Sequence, residues 1–125
     1  MNVGFANGVF DLFHDGHRHF LTACRRHCSY LIVAVNVDPW CKRKGLDRPF
    51  DNLEKRMLHV RGYAEAVIPF WGDPVPLIEE IGCDVVLRGY DQAEDAPAWA
   101  KVVRIGHLEG FSTTLAASHL KNPTP

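Results

Sequence analysis

The stretch Asn7-Gly8-Val9-Phe10-Asp11-Leu12-Phe13-His14-Asp15-Gly16-His17 decides how this chain folds. It follows the apolar run Val3-Gly4-Phe5-Ala6 and precedes an amphipathic segment beginning near His17, so it reads as a strand-to-helix turn. The opening N–H groups of a helix lack intrahelical partners and carry partial positive charge, which makes such a turn the natural anion site of an α/β protein. Gly8 and Gly16 permit close approach or unusual φ, and imidazoles three residues apart can converge on one anion.

Working outward, Phe20, Leu21, Ala23 and Cys24 alternate at helical spacing with Arg18, Arg25 and Arg26, predicting a helix from His17 to about Cys28. The nearly continuous apolar run from Tyr30 to Asn36 predicts a strand covered on both faces. Periodicity disappears from Asp38 to Asp51, where Trp40, Lys42, Arg43, Lys44, Gly45, Arg48 and Pro49 form a basic loop. Asp51 or Asn52 then caps a helix reaching about Tyr63, with Leu53, Met57, Val60 and Ala64 inward and Arg56 and Arg61 beside them. Ala66 to Phe70 reads as a strand, Pro74 to Ile81 as a helix closed by Gly82, Asp84 to Arg88 as a strand, and Lys101 to Ile105 as another. Gly89-Tyr90-Asp91-Gln92 lies at a strand's carboxyl end, and Ser112, Thr113 and Thr114 head a last helical segment. Hydroxyls at such a place either cap the helix or bind phosphate.

The 125 residues, 46% of them hydrophobic, fit one domain over residues 1–125, which can bury roughly two-thirds of its unfolded surface. A net charge of −1 argues against coating nucleic acid by bulk charge. With no apolar run of membrane-spanning length and no signal peptide, the expectation is a cytoplasmic protein with reduced thiols. Cys24, Cys28, Cys41 and Cys83 show no C-x-x-C spacing; a zinc site from Cys24, Cys28 and His27 competes with ordinary core or surface thiols.

The arrangement Gly-x-Phe-Asp-x-x-His-x-Gly-His resembles the HxGH nucleotidyltransferase superfamily, specifically its cytidylyltransferase-like family. Further matches follow in family order: Ala34-Val35-Asn36-x-Asp38, Lys42-x-Lys44-Gly45, Arg48-Pro49, Leu53-Glu54-x-Arg56-Met57, Gly89-x-Asp91 and Gly110-x-Ser112-Thr113-Thr114. Within the family the chain looks most similar to the heptose 1-phosphate adenylyltransferase domain, with glycerol-3-phosphate cytidylyltransferase as the competitor. Two departures bear on the acceptor: His107-Leu108-Glu109-Gly110 stands where cytidylyltransferases carry Arg-Thr-Glu-Gly, and Gly89-Tyr90-Asp91 where relatives have Gly-Gly-Asp or Gly-Asp-Asp.

The resemblance implies an α/β, Rossmann-like three-layer sandwich with a five-stranded, mostly parallel sheet, without the dinucleotide glycine fingerprint. It implies transfer of a nucleoside monophosphate from a triphosphate, ATP favoured over CTP, to a phosphorylated small molecule such as a sugar or polyol phosphate. His14, His17 and Lys44 are the catalytic candidates. Gly8, Phe10, Asp11, Gly16, Arg56, Gly89, Asp91, Ser112, Thr113 and Thr114 are assigned to the nucleotide, and Lys42, Arg48, Arg61 and Arg88 to the acceptor. Mg²⁺ would bridge substrate phosphates, with Asp11 a possible ligand. A homodimer is implied as well. A catalytically silent nucleotide-binding regulatory domain is the alternative of another class.

Overall fold

The computed structural model describes residues 2–41, 49–90, 92, 93 and 95–106, leaving aside the side chains of Trp40 and Cys41. Its elements run β1 (Val3–Gly8), α1 (Asp15–Arg25), β2 (Tyr30–Asn36), α2 (Asp38–Cys41), α3 (Leu53–Arg61), β3 (Ala66–Phe70), α4 (Pro74–Ile81), β4 (Val85–Arg88) and β5 (Lys101–Arg104). The strands form one five-stranded sheet in the order β3-β2-β1-β4-β5. Every neighbouring pair is parallel, so the expected mostly parallel sheet is wholly parallel. The register sets Gly8 beside Val35 and Phe5 beside Val86.

Side-chain alternation splits the core between the two faces. Ala6, Val33, Val35, Val85 and Leu87 pack with Leu21 and Cys24 of α1 and Val60 of α3. Phe5, Ala34 and Val86 face the other way, onto Ile78 of α4. Two helix layers therefore sandwich the sheet, and a fully buried Phe5 or Leu31 contributes roughly 1.5–3 kcal/mol of transfer free energy. Among the described residues, no helix is long and apolar enough to cross a membrane.

Local chemistry fixes the element ends. Asn52 Oδ1 accepts from Lys55 N at 2.9 Å, which opens α3 at the expected cap. Asp73 caps α4, Pro74 enters its first turn, and Gly82 closes it at φ 77°. The aperiodic stretch after Asp38 contains one unanticipated helical turn, α2, for which Pro39 near its start is the sequence signal. α1 begins two residues earlier than its apolar periodicity suggested, because His14 acts as its N-cap. It ends at Arg25, and Cys28 packs onto β1 so closely that a Cβ on Gly4 would lie 2.6 Å from Cys28 Sγ and 2.9 Å from its Cβ. Gly4→Ala is accordingly expected to destabilise the fold by about 1–3 kcal/mol, read as a lower urea midpoint with an unchanged m-value.

Candidate active site

In the order β3-β2-β1-β4-β5 the chain winds outward from β1 in both directions, so the carboxyl ends of β1 and β4 flank the point where the order reverses. Open parallel sheets bind ligands in that crevice. The turn after β1 rises here and is strained: Phe10 has φ 54° and Leu12 φ 48°, a region costly for residues with a Cβ. Of the two roles expected for the glycines, close approach or unusual φ, Gly8 takes the first. Gly8 serves by its size, since a Cβ there would lie 3.1 Å from the Phe10 ring.

Asp11 holds the strained turn in place. Its carboxylate is 1% exposed and accepts from the amides of Leu12 (3.1 Å), Phe50 (2.8 Å) and Asp51 (2.9 Å). Those bonds join the turn to the start of α3. They give Asp11, which the resemblance assigned to the nucleotide with a possible metal contact, a structural task in holding the turn. Among the described residues no group of three His, Cys, Asp or Glu side chains is placed to hold a metal ion.

The two histidines come together. Their rings stack with centroids 3.8 Å apart and planes 22° from parallel. His14 Nδ1 accepts from Gly16 N at 3.0 Å, and His17 Nδ1 accepts from His14 N at 3.2 Å. A ring nitrogen that accepts carries no proton, so in each neutral imidazole the proton sits on Nε2. Burial lowers the His17 pKa to about 3, with the charges of His14 and Arg18 adding to the effect. The pair therefore offers Nε2–H donors while His17 adds no positive charge near neutral pH. That suits an oxyanion that gains and loses charge during a reaction.

Aromatic packing supports His17. Phe10 is buried and meets the His17 ring edge-on at 5.6 Å, so it backs the histidine. Phe13 stacks on His17 at 5.4 Å and is gripped by His59 of α3 and by Tyr63 just after that helix, with the Arg18 guanidinium 5.1 Å from its centroid. The lowered pKa has a consequence for stability. Between about pH 6.5 and 3 the unfolded chain takes up a proton that folded His17 refuses, so this residue makes stability fall as pH drops through that window. Urea midpoints across the window should read that decline, and His17→Gln should make it shallower by close to one proton.

Arg56 lies elsewhere than expected. Assigned to the leaving pyrophosphate, it is 0% exposed and enclosed by acceptors of the protein itself. Nη1 donates to Val9 O (2.9 Å) and Asn36 O (2.7 Å), Nε to Asp51 O (3.0 Å), and Nη2 to the Asp38 carboxylate. It staples the ends of β1, β2 and the α3 entry, its Nε and both Nη groups already engaged by a carboxylate and three carbonyls. Arg61, assigned to the acceptor, is exposed in the last turn of α3, which leads into the amino end of β3.

At the end of β4, Gly89 N donates to Gln92 Oε1 (2.7 Å) and Gln92 Nε2 to Asn7 O (2.8 Å), linking the ends of β1 and β4. Arg88 is 2% exposed and donates to Asn7 Oδ1 and to Asp95 O. Sequence reasoning gave no role to Asn7 or Gln92; their polarity at strand ends flanking the switch point was the available signal. Lys42, Lys44, Arg48, Asp91, His107, Ser112, Thr113 and Thr114 lie outside the described residues.

Comparison with known proteins agrees with this geometry. A family model described as cytidylyltransferase-like matches residues 5–120. The chain is 43% identical over 109 residues to the bifunctional protein HldE of Gluconacetobacter diazotrophicus, covering 83% of this chain and 22% of that protein. It is 39% identical over 133 residues to HldE of Yersinia enterocolitica, covering 96% of this chain and 28% of that protein. The chain thus spans about a quarter of the length of these relatives. Among solved structures it resembles a lipopolysaccharide core biosynthesis protein from Thermoplasma volcanium at TM-score 0.75 and 26% identity, covering 87% of this chain and 99% of that one. It shares its fold with pantothenate synthetase from Thermus thermophilus at TM-score 0.59 and 14% identity, covering 85% and 56% of the two chains. A stacked histidine pair capping the helix after the first strand, at the switch point of a parallel sheet, and a family match over nearly the whole sequence lead to one conclusion: the chain belongs to the cytidylyltransferase-like family.

Proposed function

We propose that this domain transfers a nucleotidyl group from a nucleoside triphosphate, ATP favoured, to the phosphate of a sugar or polyol phosphate. An acceptor phosphate oxygen attacks the α-phosphorus, the bond to the α–β bridging oxygen breaks, and its electron pair leaves on pyrophosphate. The acceptor is already an anion, so the site needs no side-chain nucleophile. Its work is to align two polyanions and absorb charge at the α-phosphorus. In this reading the Nε2–H groups of His14 and His17 donate to α- and β-phosphate oxygens, with the amides opening α1 beside them. Lys44 and Lys42 neutralise triphosphate or acceptor, Ser112 to Thr114 hold the departing pyrophosphate, and Gly89 with Asp91 lines the nucleoside pocket. Magnesium arrives as part of the nucleotide substrate. A cytoplasmic homodimer completes the proposal.

The observation that carries the reading is the backbone-imposed protonation of both imidazoles on Nε2. ATP is favoured through the sequence resemblance to the heptose 1-phosphate adenylyltransferase domain; the family's name keeps CTP with glycerol 3-phosphate as the second reading. Thermal-shift titrations separate them. The substrate nucleotide with Mg²⁺, at a hundredfold over its Kd, adds about 2.7 kcal/mol and raises Tm by several degrees, and the other does not. Pyrophosphate release over a panel of sugar and polyol phosphates tests the activity; no release from any of them would favour a catalytically silent regulatory domain.

A further inference from the structure

We propose that Arg88 and Asn7, side by side at the carboxyl ends of β4 and β1, form the element that recognises the acceptor's phosphate, through the Nε–H edge of the guanidinium. The inference rests on the nucleotidyl-transfer reading above. Arg88 is almost wholly buried, and its hydrogen-bond partners are neutral: an amide oxygen of Asn7 and the carbonyl of Asp95. Its Nε has no partner among the described residues, although the atom is out of contact with solvent. Arg56, the other buried arginine among the described residues, has a carboxylate and three carbonyls around it, so it shows no such shortfall. A buried guanidinium donor left unmatched is costly, and a phosphoryl oxygen is the acceptor its planar fork fits best. Asp95 and Asp73 oppose its charge from farther off, and Arg104 adds to it.

Position on the sheet indicates which phosphate. Val85 and Leu87 point into the core beneath α1, so by alternation Arg88 and Val86 belong to the opposite face. The histidines stand on the α1 side. In-line displacement places the incoming oxygen opposite the leaving pyrophosphate. A cation across the crest of the sheet from the histidines is therefore matched to the acceptor. Among the described residues the irregular stretch between β4 and β5 reaches the guanidinium through the Asp95 carbonyl. Asn7 fixes the plane of the fork and is a positioning residue.

The test uses the whole chain in two independent measurements. In ¹H–¹⁵N spectra of the arginine Nε–H region, the resonance lost in Arg88→Lys should shift saturably with glycerol 3-phosphate or a hexose 1-phosphate and stay fixed with glycerol or the free hexose. A fixed resonance throughout overturns the proposal. In pyrophosphate-release kinetics, Arg88→Met should raise acceptor KM about ten- to a hundredfold while nucleotide KM holds, with Arg88→Lys falling between. A lowered Tm with acceptor KM unchanged would make Arg88 a structural stitch and overturn the proposal. Should Arg88→Met fail to fold, the titration of the unmodified chain decides. A chain that releases no pyrophosphate but shows the saturable shift loses the catalytic reading and keeps the phosphate site.

Discussion

His17→Ala is expected to lower kcat for pyrophosphate release by about 10²- to 10³-fold, the usual cost of removing one preorganised donor from a developing oxyanion. The alanine removes the Nε2–H and also the Nδ1 that accepts the His14 amide, so part of the loss comes through His14. His14→Ala should fall in the same range, and the double variant should lose less than the product of the two, because stacked rings that cap one helix act as a unit. Nucleotide KM should move far less than kcat, which separates a transition-state donor from a ground-state contact. His17→Lys should not rescue turnover: a fixed ammonium replaces a neutral donor whose own pKa is held near 3 by burial. Unchanged kcat in a folded His17→Ala protein would remove the mechanism altogether.

The first βαβ unit was legible because its signals are local. An apolar run, a turn and an amphipathic stretch lie within thirty-six residues, and β2 occupies Tyr30–Asn36 as its unbroken apolarity indicated. The same holds for α4, whose Asp73, Pro74 and Gly82 mark both ends. The histidine pair was legible for the same reason, since three-residue spacing at a helix start brings the rings together. What sequence could not reveal was which polar groups the fold would use on itself. Asp11 meets Phe50 and Asp51 across thirty-nine and forty residues, and nothing near Asp11 announces those amides. Arg56 occupies a helical position from which a long side chain can reach solvent or the interior, and periodicity does not choose between them. Nor could it place positive φ at Phe10 and Leu12; that strain persists because the Asp11 bonds over-determine the turn.

Arg56→Met is expected to destabilise the protein by about 3–5 kcal/mol, the range for removing one partner from a buried ionic network. Methionine fills similar volume, so a cavity contributes little and the loss is mainly that of unmatched acceptors. Val9 O, Asn36 O and Asp51 O lose their donor together, one just after β1, one at the end of β2 and one at the entry to α3. Arg56→Lys should recover only a small part of this, because one ammonium cannot reach acceptors set around a planar fork. Asp38→Asn should cost much less, since Asp38 is 37% exposed and its withdrawal leaves three of the four contacts standing. Against a total stability of about 5–15 kcal/mol, the Arg56→Met change brings the fold near its threshold, visible as a large drop in urea midpoint. The order of the three variants is the decisive observation. An arginine that served the pyrophosphate would, on replacement by methionine, leave the urea midpoint nearly unchanged and raise nucleotide KM. An arginine that ties the histidine-bearing turn to β2 and α3 lowers the midpoint first, and impairs turnover only through the turn it no longer holds.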